Sequence, residues 1–205
     1  EIQLEGMLLN IDKNEVWTKL IGDFNAYNIL AIYSLGKIYE LETIKLLKTI
    51  SELENVRGRL QSFITKNKIT VIVDYAHTPD ALENVLKTIN KIRAKGQRLI
   101  TVVGCGGDRD TKKRPLIGSL VSELSSYVIF TSDNPRSENP KEILDQILIG
   151  VSATNSKKTN VIIKREKAIE AAYKHSKAGD IVLIAGKGHE NYQELNGKKI
   201  PFDDF

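Results

Sequence analysis

Beyond residue 57 the chain alternates short, continuous apolar runs with stretches whose apolar positions recur at helical spacing. The runs at 70–74, 98–103, 127–131, 161–163 and 181–185 read as strands, because each is only a few residues long, rich in Val and Ile, and bounded by turn residues. Helices are expected between them at 79–93, 114–124, 140–150 and 167–175. Pro79 falls in the first turn of its helix, where a missing N–H costs nothing. Apolar strands that alternate with amphipathic helices point to a mostly parallel sheet covered on both faces, an α/β architecture. The segment 192–200 reads as a hairpin around Asn196-Gly197, a strong turn pair.

The rhythm before residue 57 is different. Two strands joined at the polar turn Asp12-Lys13-Asn14 precede helices at 25–38 and 42–53, the second with Ile44, Leu47 and Ile50 at helical spacing. A hairpin so short is not stable alone. Residues 1–56 are therefore expected to be the tail of one domain and 57–205 a second domain. The first residue is Glu1 and a strand-like segment follows almost at once, which suggests a cut through a larger protein.

With 205 residues, 41% hydrophobic and 27% charged, the chain has the make-up of a soluble globular protein. Its net charge of +4 is mild, and lysines scattered among acidic neighbours read as solvated surface rather than a nucleic-acid footprint. No apolar run approaches the roughly 18 residues of a membrane span, and no signal-peptide pattern opens the chain. One cysteine, Cys105, excludes an intrachain disulfide and fits a reducing cytoplasm. Between Gly104 and Gly106 it is expected to serve as a small side chain rather than a nucleophile. With three histidines and no close-spaced His/Cys set, no zinc site is expected.

In open parallel sheets ligands bind beyond the carboxyl ends of the strands, and every unusual cluster falls there. Asp74-Tyr75-Ala76-His77-Thr78-Pro79-Asp80 follows the first strand and Gly104-Cys105-Gly106-Gly107-Asp108-Arg109-Asp110 the second. Asp133-Asn134-Pro135-Arg136 follows the third, and Gly186-Lys187-Gly188-His189-Glu190 the fifth. Singly, each has a plain reading. The glycine cluster reads equally as a ligand-free strand-to-helix turn; it lacks the spacing of a dinucleotide fingerprint, and no Gly-Lys-Thr or Gly-Lys-Ser occurs for a P-loop. His77 alone reads as a structural histidine. Asp133-Asn134-Pro135 is a good turn signal, which leaves Arg136 unexplained. Together, the guanidiniums, carboxylates and glycine-rich backbone suit a small molecule with both carboxylate and ammonium groups, an amino acid.

These four motifs resemble, in order and approximate spacing, those of the Mur ligases, and in particular the members that add the third residue of the peptidoglycan peptide. Gly22-Asp23-Phe24-Asn25-Ala26-Tyr27-Asn28 resembles the end of that family's central ATPase domain, and Gly58-Arg59 its junction with the C-terminal domain. The resemblance implies a Rossmann-like, mostly parallel domain at 57–205, preceded at 1–56 by the tail of a central ATP-binding domain. It implies a cytoplasmic, monomeric ligase that uses ATP and Mg2+ to join meso-diaminopimelate to the UDP-MurNAc-dipeptide, without nucleic-acid or membrane partners. In the family, ATP phosphorylates the D-glutamate side-chain carboxyl and the incoming amine attacks the acyl phosphate. The family's P-loop, Mg2+-binding carboxylates and modified lysine have no counterpart here, so no catalytic or metal-binding residue is carried over. The chain alone is expected to be inactive.

By the same resemblance Arg109, Asp133, Asn134, Pro135, Arg136, Gly186 and Glu190 bind meso-diaminopimelate. Arg136 is expected to grip the distal carboxylate in a bidentate fork, Arg109 to hold the second carboxylate and Glu190 an ammonium. Asn28, Arg59 and Asp74 match nucleotide contacts, with His77 grouped beside them; Gln61 departs from the acidic residue usual near the junction. Lysine lacks the distal carboxylate, and stranding a buried guanidinium costs on the order of 3–5 kcal/mol, which favours diaminopimelate. The alternatives are a lysine-adding relative and a stand-alone amino-acid-binding module.

Overall fold

The computed structural model describes residues 1–4 and 6–205. At the N-terminal end β1 (Ile2–Gln3), β2 (Gly6–Ile11) and β3 (Asn14–Thr18) form an antiparallel sheet. The turn between β2 and β3 sits where the polar residues predicted it: Asp12 and Lys13 both take positive φ, 48° and 66°, the hand that matches the twist of the flanking strands. Helices α1 (Asp23–Ile38) and α2 (Thr43–Ser51) close over this sheet and bury Met7, Val16, Ile29, Leu47 and Ile50 in a small core of their own. Gly36 lets the helices meet, since a Cβ there would lie 2.4 Å from Leu46 Cδ2. The far side of α1 leaves Tyr27 and Ile38 exposed.

The remaining residues build a six-stranded sheet from β4 (Gln61–Ile64), β5 (Thr70–Asp74), β6 (Leu99–Val103), β7 (Tyr127–Phe130), β8 (Thr159–Val161) and β9 (Ile181–Ala185). Its spatial order is β4-β5-β9-β6-β7-β8, with β4 antiparallel and every other pairing parallel. Helices α3 (Pro79–Ile92), α4 (Lys113–Leu124) and α5 (Pro140–Leu148) cover one face, and α7 (Arg165–His175) the other; a single turn, α6 (Ala153–Ser156), precedes β8. The strand period of two divides β9 between them: Ile181, Leu183 and Ala185 face the three-helix side, Val182 and Ile184 the α7 side. In α3, Leu82, Val85, Leu86 and Ile89 form one buried stripe, each side chain contributing about 1.5–3 kcal/mol by leaving water.

The four inner strands fall where the apolar runs placed them. The two edges do not. β4 carries no continuous apolar run, and β8 lies at 159–161 instead of 161–163. Both are short edge strands with exposed positions, so burial supplied little pattern to read.

The expected C-terminal hairpin is present as β10 (Tyr192–Leu195) and β11 (Lys198–Pro201), turning through Asn196 and Gly197 at φ 48° and 72°. Just beyond it, Asp204 forms a completely buried, two-pronged ion pair with Arg165, whose Nη2 also donates to the Ala185 carbonyl at the end of β9. Among the described residues no helix is long and apolar enough to cross a membrane.

Candidate substrate site at the carboxyl edge of the sheet

All four motif loops leave the carboxyl ends of parallel strands and meet around one open cleft of about 200 Å³. The loop after β5 begins with Asp74, whose two carboxylate oxygens accept the Leu60 and Ala76 amides, each at 2.7 Å. Burial raises its pKa; the two amide bonds and the Arg59 charge only partly offset that. Asp74 thereby ties the junction at residues 58–60 to the sheet. Tyr75 sits at the centre of a stack, with the Arg59 guanidinium 4.6 Å from its ring and the His77 and His189 rings at 4.7 and 5.1 Å. Thr78 caps α3 by accepting the Ala81 amide.

The glycines after β6 prove to be packing glycines. A Cβ on Gly104 would lie 2.1 Å from the Thr131 carbonyl oxygen and one on Gly107 1.9 Å from that of Pro135. This loop and the loop after β7 therefore interlock backbone to backbone, and the Gly107 amide donates to the Asn134 carbonyl at 2.9 Å. Cys105 is buried in the same place, and burial pushes its thiol up to about 12. Beneath the loop, completely buried Arg114 donates to both oxygens of Glu138 and to the Gly106 carbonyl. The bond from Arg114 holds the Glu138 carboxyl below the usual carboxylate range.

In the loop after β7, Asp133 and Asn134 are buried while Arg136 takes a left-handed φ of 50°. That turn aims the guanidinium back over the glycine loop: Nη1 donates to the Gly107 carbonyl at 2.7 Å, and Nε lies 3.3 Å from Glu194 Oε2. Arg136 is thus paired before any ligand arrives, and it also lines the cleft. The expected cost of a fully stranded guanidinium is therefore reduced, because Glu194 and Gly107 already pair with it. The C-terminal hairpin braces this loop: Glu194 N donates to Asn134 Oδ1, Gln193 Nε2 to the Asp133 carbonyl, and Arg136 N to the Glu194 carbonyl.

The loop after β9 completes the cleft. Gly186, at φ 113°, faces Asp133 Oδ2, and Gly188 packs so tightly on the junction that a Cβ on it would meet the Gly58 carbonyl oxygen at 2.6 Å. Lys187 is completely buried and donates to Asn134 Oδ1 and Glu190 Oε2. Burial pushes the Glu190 carboxyl up, but hydrogen bonds from Lys187 and Asn134 outweigh it, and the net position is below the usual carboxylate range.

Of the residues singled out from sequence, Arg109, Asp133, Asn134, Arg136, Gly186, Glu190 and His77 line this cleft. Pro135 does not; its carbonyl seats Gly107 and accepts the Glu138 amide. Asn28 lies away from the cleft, exposed on α1 and bonded to Asn25 Oδ1. Arg59 and Asp74 sit at the junction, behind Tyr75. Sequence reasoning missed Tyr75 and Lys113 as lining residues and Lys187 beneath them. Lys113 left no local signal, since it opens α4 while Arg109 lies in the irregular loop before it. The floor of the cleft is thus anionic at Asp133 and Glu190 and its rim cationic at Arg109, Lys113 and Arg136, an arrangement suited to a zwitterion.

For a nucleotide, the fit is partial. Arg59 offers an exposed guanidinium, whereas both Asp74 oxygens already accept amides. Among the described residues no group of three His, Cys, Asp or Glu side chains gathers to hold a metal ion.

Residues 58–188 match the family described as "Mur ligase, glutamate ligase domain". The chain is 45% identical over 201 residues to the UDP-N-acetylmuramoyl-L-alanyl-D-glutamate--2,6-diaminopimelate ligase of Cytophaga hutchinsonii, covering 98% of this chain and 41% of that protein. It is 48% identical over 191 residues to the ligase of the same name from Geobacillus kaustophilus, covering 92% of this chain and 38% of that protein. A solved structure of a ligase with this name superimposes on the whole chain with a TM-score of 0.72 at 38% identity, covering 42% of the solved chain. The chain therefore spans about two fifths of the length of the relatives it matches. With its sheet, its interlocked loops and a family match over 58–188, the chain belongs to the Mur ligase family.

Proposed function

We propose that the protein is an ATP-dependent ligase that forms an amide bond between meso-diaminopimelate and the D-glutamate of UDP-MurNAc-L-Ala-D-Glu. In this reading residues 57–205 are the amino-acid-binding ligase domain and residues 1–56 the end of the ATP-binding domain. Most buried apolar residues of the first part form a core of their own around Met7, Ile29 and Ile50, while Ile21 packs into the core of the second; that largely separate packing supports the division. The observation that carries the function is the convergence of Arg109 and Arg136 with Asn134 and Glu190 on one cleft, donors for two carboxylates beside an acceptor for an ammonium.

Arg136 holds the distal carboxylate with the N–H groups that Gly107 and Glu194 leave free, and Arg109 the second carboxylate. Asp133, Glu190 and the Gly186 edge take the distal ammonium. With both ends fixed, the proximal amine is left to attack the acyl phosphate, forming the C–N bond as phosphate leaves and a proton is lost to solvent. Positioning the amine is this chain's share of the rate. ATP supplies the phosphoryl group, with Arg59 at the junction suited to its phosphates; Mg2+ is held outside this chain. The enzyme works as a cytoplasmic monomer.

The test is ADP release by the complete protein with the UDP-linked dipeptide and each candidate amino acid. Turnover with meso-diaminopimelate and little with lysine is expected. Equal turnover with lysine would overturn the substrate assignment, and none with either would overturn the reaction.

A further inference from the structure

Lys187 lies completely buried beneath the cleft, and nothing in the proposed reaction uses it. Its Nζ is 3.1 Å from Asn134 Oδ1, 2.9 Å from Glu190 Oε2 and 3.7 Å from Asp133 Oδ1, with the Tyr192 ring centroid at 5.5 Å. Three residues assigned to the amino acid thus converge from below on one ammonium. A methionine or leucine would fill such a space without the desolvation cost that a buried charge carries, so packing alone is a poor account of it.

The hydrogen bonds define what the charge does. Asn134 Oδ1 accepts from Lys187 and from the Glu194 amide, which fixes the side-chain amide one way round: flipped, its NH2 would face two donors. Its Nδ2 must then point to Glu190, and it does, at 2.8 Å from Oε2. Oε2 therefore carries two donors, Lys187 Nζ and Asn134 Nδ2. Oε1 accepts no hydrogen bond among the described residues and stays available on a side chain that lines the cleft. The same ammonium lies 3.7 Å from Asp133 Oδ1, so one buried cation faces both carboxylates.

We propose that Lys187 is a positioning residue for amino-acid capture, holding the Asn134 amide and the Glu190 carboxylate from beneath in the one arrangement that receives the substrate ammonium. This rests on the assignment of the cleft to an amino acid. The sign of its pH dependence follows from Glu190. Capture needs the ionised carboxylate, so it is complete above the depressed Glu190 pKa and fails as pH falls through it; without Lys187 that failure moves to higher pH.

The experiment uses the complete ligase and Lys187→Met, with KM measured for each of the three substrates and the pH profile of kcat/KM for the amino acid. We expect the amino-acid KM to rise at least about tenfold, while those for ATP and the UDP-linked dipeptide stay within about twofold. The acid limb should move up by about half a pH unit or more, and in a Glu190→Gln background Lys187→Met should add less than about threefold. A loss spread evenly over the three substrates, an unmoved acid limb, or effects that multiply in the double variant would overturn the proposal. Thermal melting checks the fold, and Lys187→Gln, which keeps a donor without the charge, replaces Met if Met does not fold. Failure of both to fold counts against positioning, because a purely structural lysine predicts that. The assay uses whichever amino acid the wild-type enzyme accepts, so a wrong substrate assignment is detected separately.

Discussion

Gly107 lies so close to Pro135 that a Cβ on it would sit 1.9 Å from the proline carbonyl oxygen. The close approach locks the loop after β6 onto the loop after β7, which carries Asp133, Asn134 and Arg136. Gly107→Ala has no flexible side-chain end to push aside, only backbone. We expect it to cost about 1–3 kcal/mol of stability, as overpacking does, and to weaken amino-acid capture, because Arg136 Nη1 donates to the Gly107 carbonyl. Urea unfolding and the amino-acid KM check this; an alanine variant unchanged in both would show that the loops part freely.

Arg136→Lys should weaken diaminopimelate capture at least about tenfold, or roughly 1.4 kcal/mol. An ammonium cannot serve the Gly107 carbonyl, Glu194 and a substrate carboxylate in one plane. Since the guanidinium already has two protein partners, the proposed preference for diaminopimelate over lysine would rest more on the hydrogen bonds that diaminopimelate alone can form than on a charge stranded by lysine. Unchanged affinity in calorimetry on the complete enzyme would remove Arg136 from the site.

Arg165→Met should destabilise the fold by about 3–5 kcal/mol, because it leaves the Asp204 carboxylate buried without its partner. Replacing both, as Arg165→Met with Asp204→Leu, should recover much of the loss. Denaturant midpoints for the single and double variants measure it, and a double variant no better than the single would place the cost in packing instead.

Cys105 should resist thiol reagents at pH 8 in the native state and react fully in denaturant, since burial raises its pKa to about 12. The sign for stability follows. The unfolded thiol ionises first, so this contribution is intact below its ordinary range near 9 and declines toward pH 12, by at most about 1.4 kcal/mol per pH unit. Cys105→Ala should flatten that part of the alkaline decline; rapid native labelling at pH 8 would contradict the burial.

The sequence was most readable where burial is two-sided. The inner strands β5, β6, β7 and β9 announce themselves as unbroken apolar runs, and the polar loops after them mark the cleft. Edge strands β4 and β8 carry exposed positions, so β4 goes unread and the pattern places β8 two residues late. The glycines at 104–107 were legible as a turn, but their cause lies in Thr131 and Pro135, more than 20 residues away, and no local pattern records a backbone contact at that distance. Lys187 stands within the Gly186–Glu190 motif, yet nothing local marks it as buried, because its burial is produced by Asn134, Glu190 and Tyr192 closing around it.

The hairpin β10–β11 gives the cleft an order of assembly. Its backbone and side chains hold the Asp133, Asn134 and Arg136 loop from outside, through Gln193 and Glu194. During synthesis the sheet strands up to β7 emerge well before these residues, so the loop that carries Arg136 is made long before its brace. The cleft is therefore braced only after residue 194 leaves the ribosome, and a nascent chain stalled before that point lacks the contacts that hold the Arg136 loop.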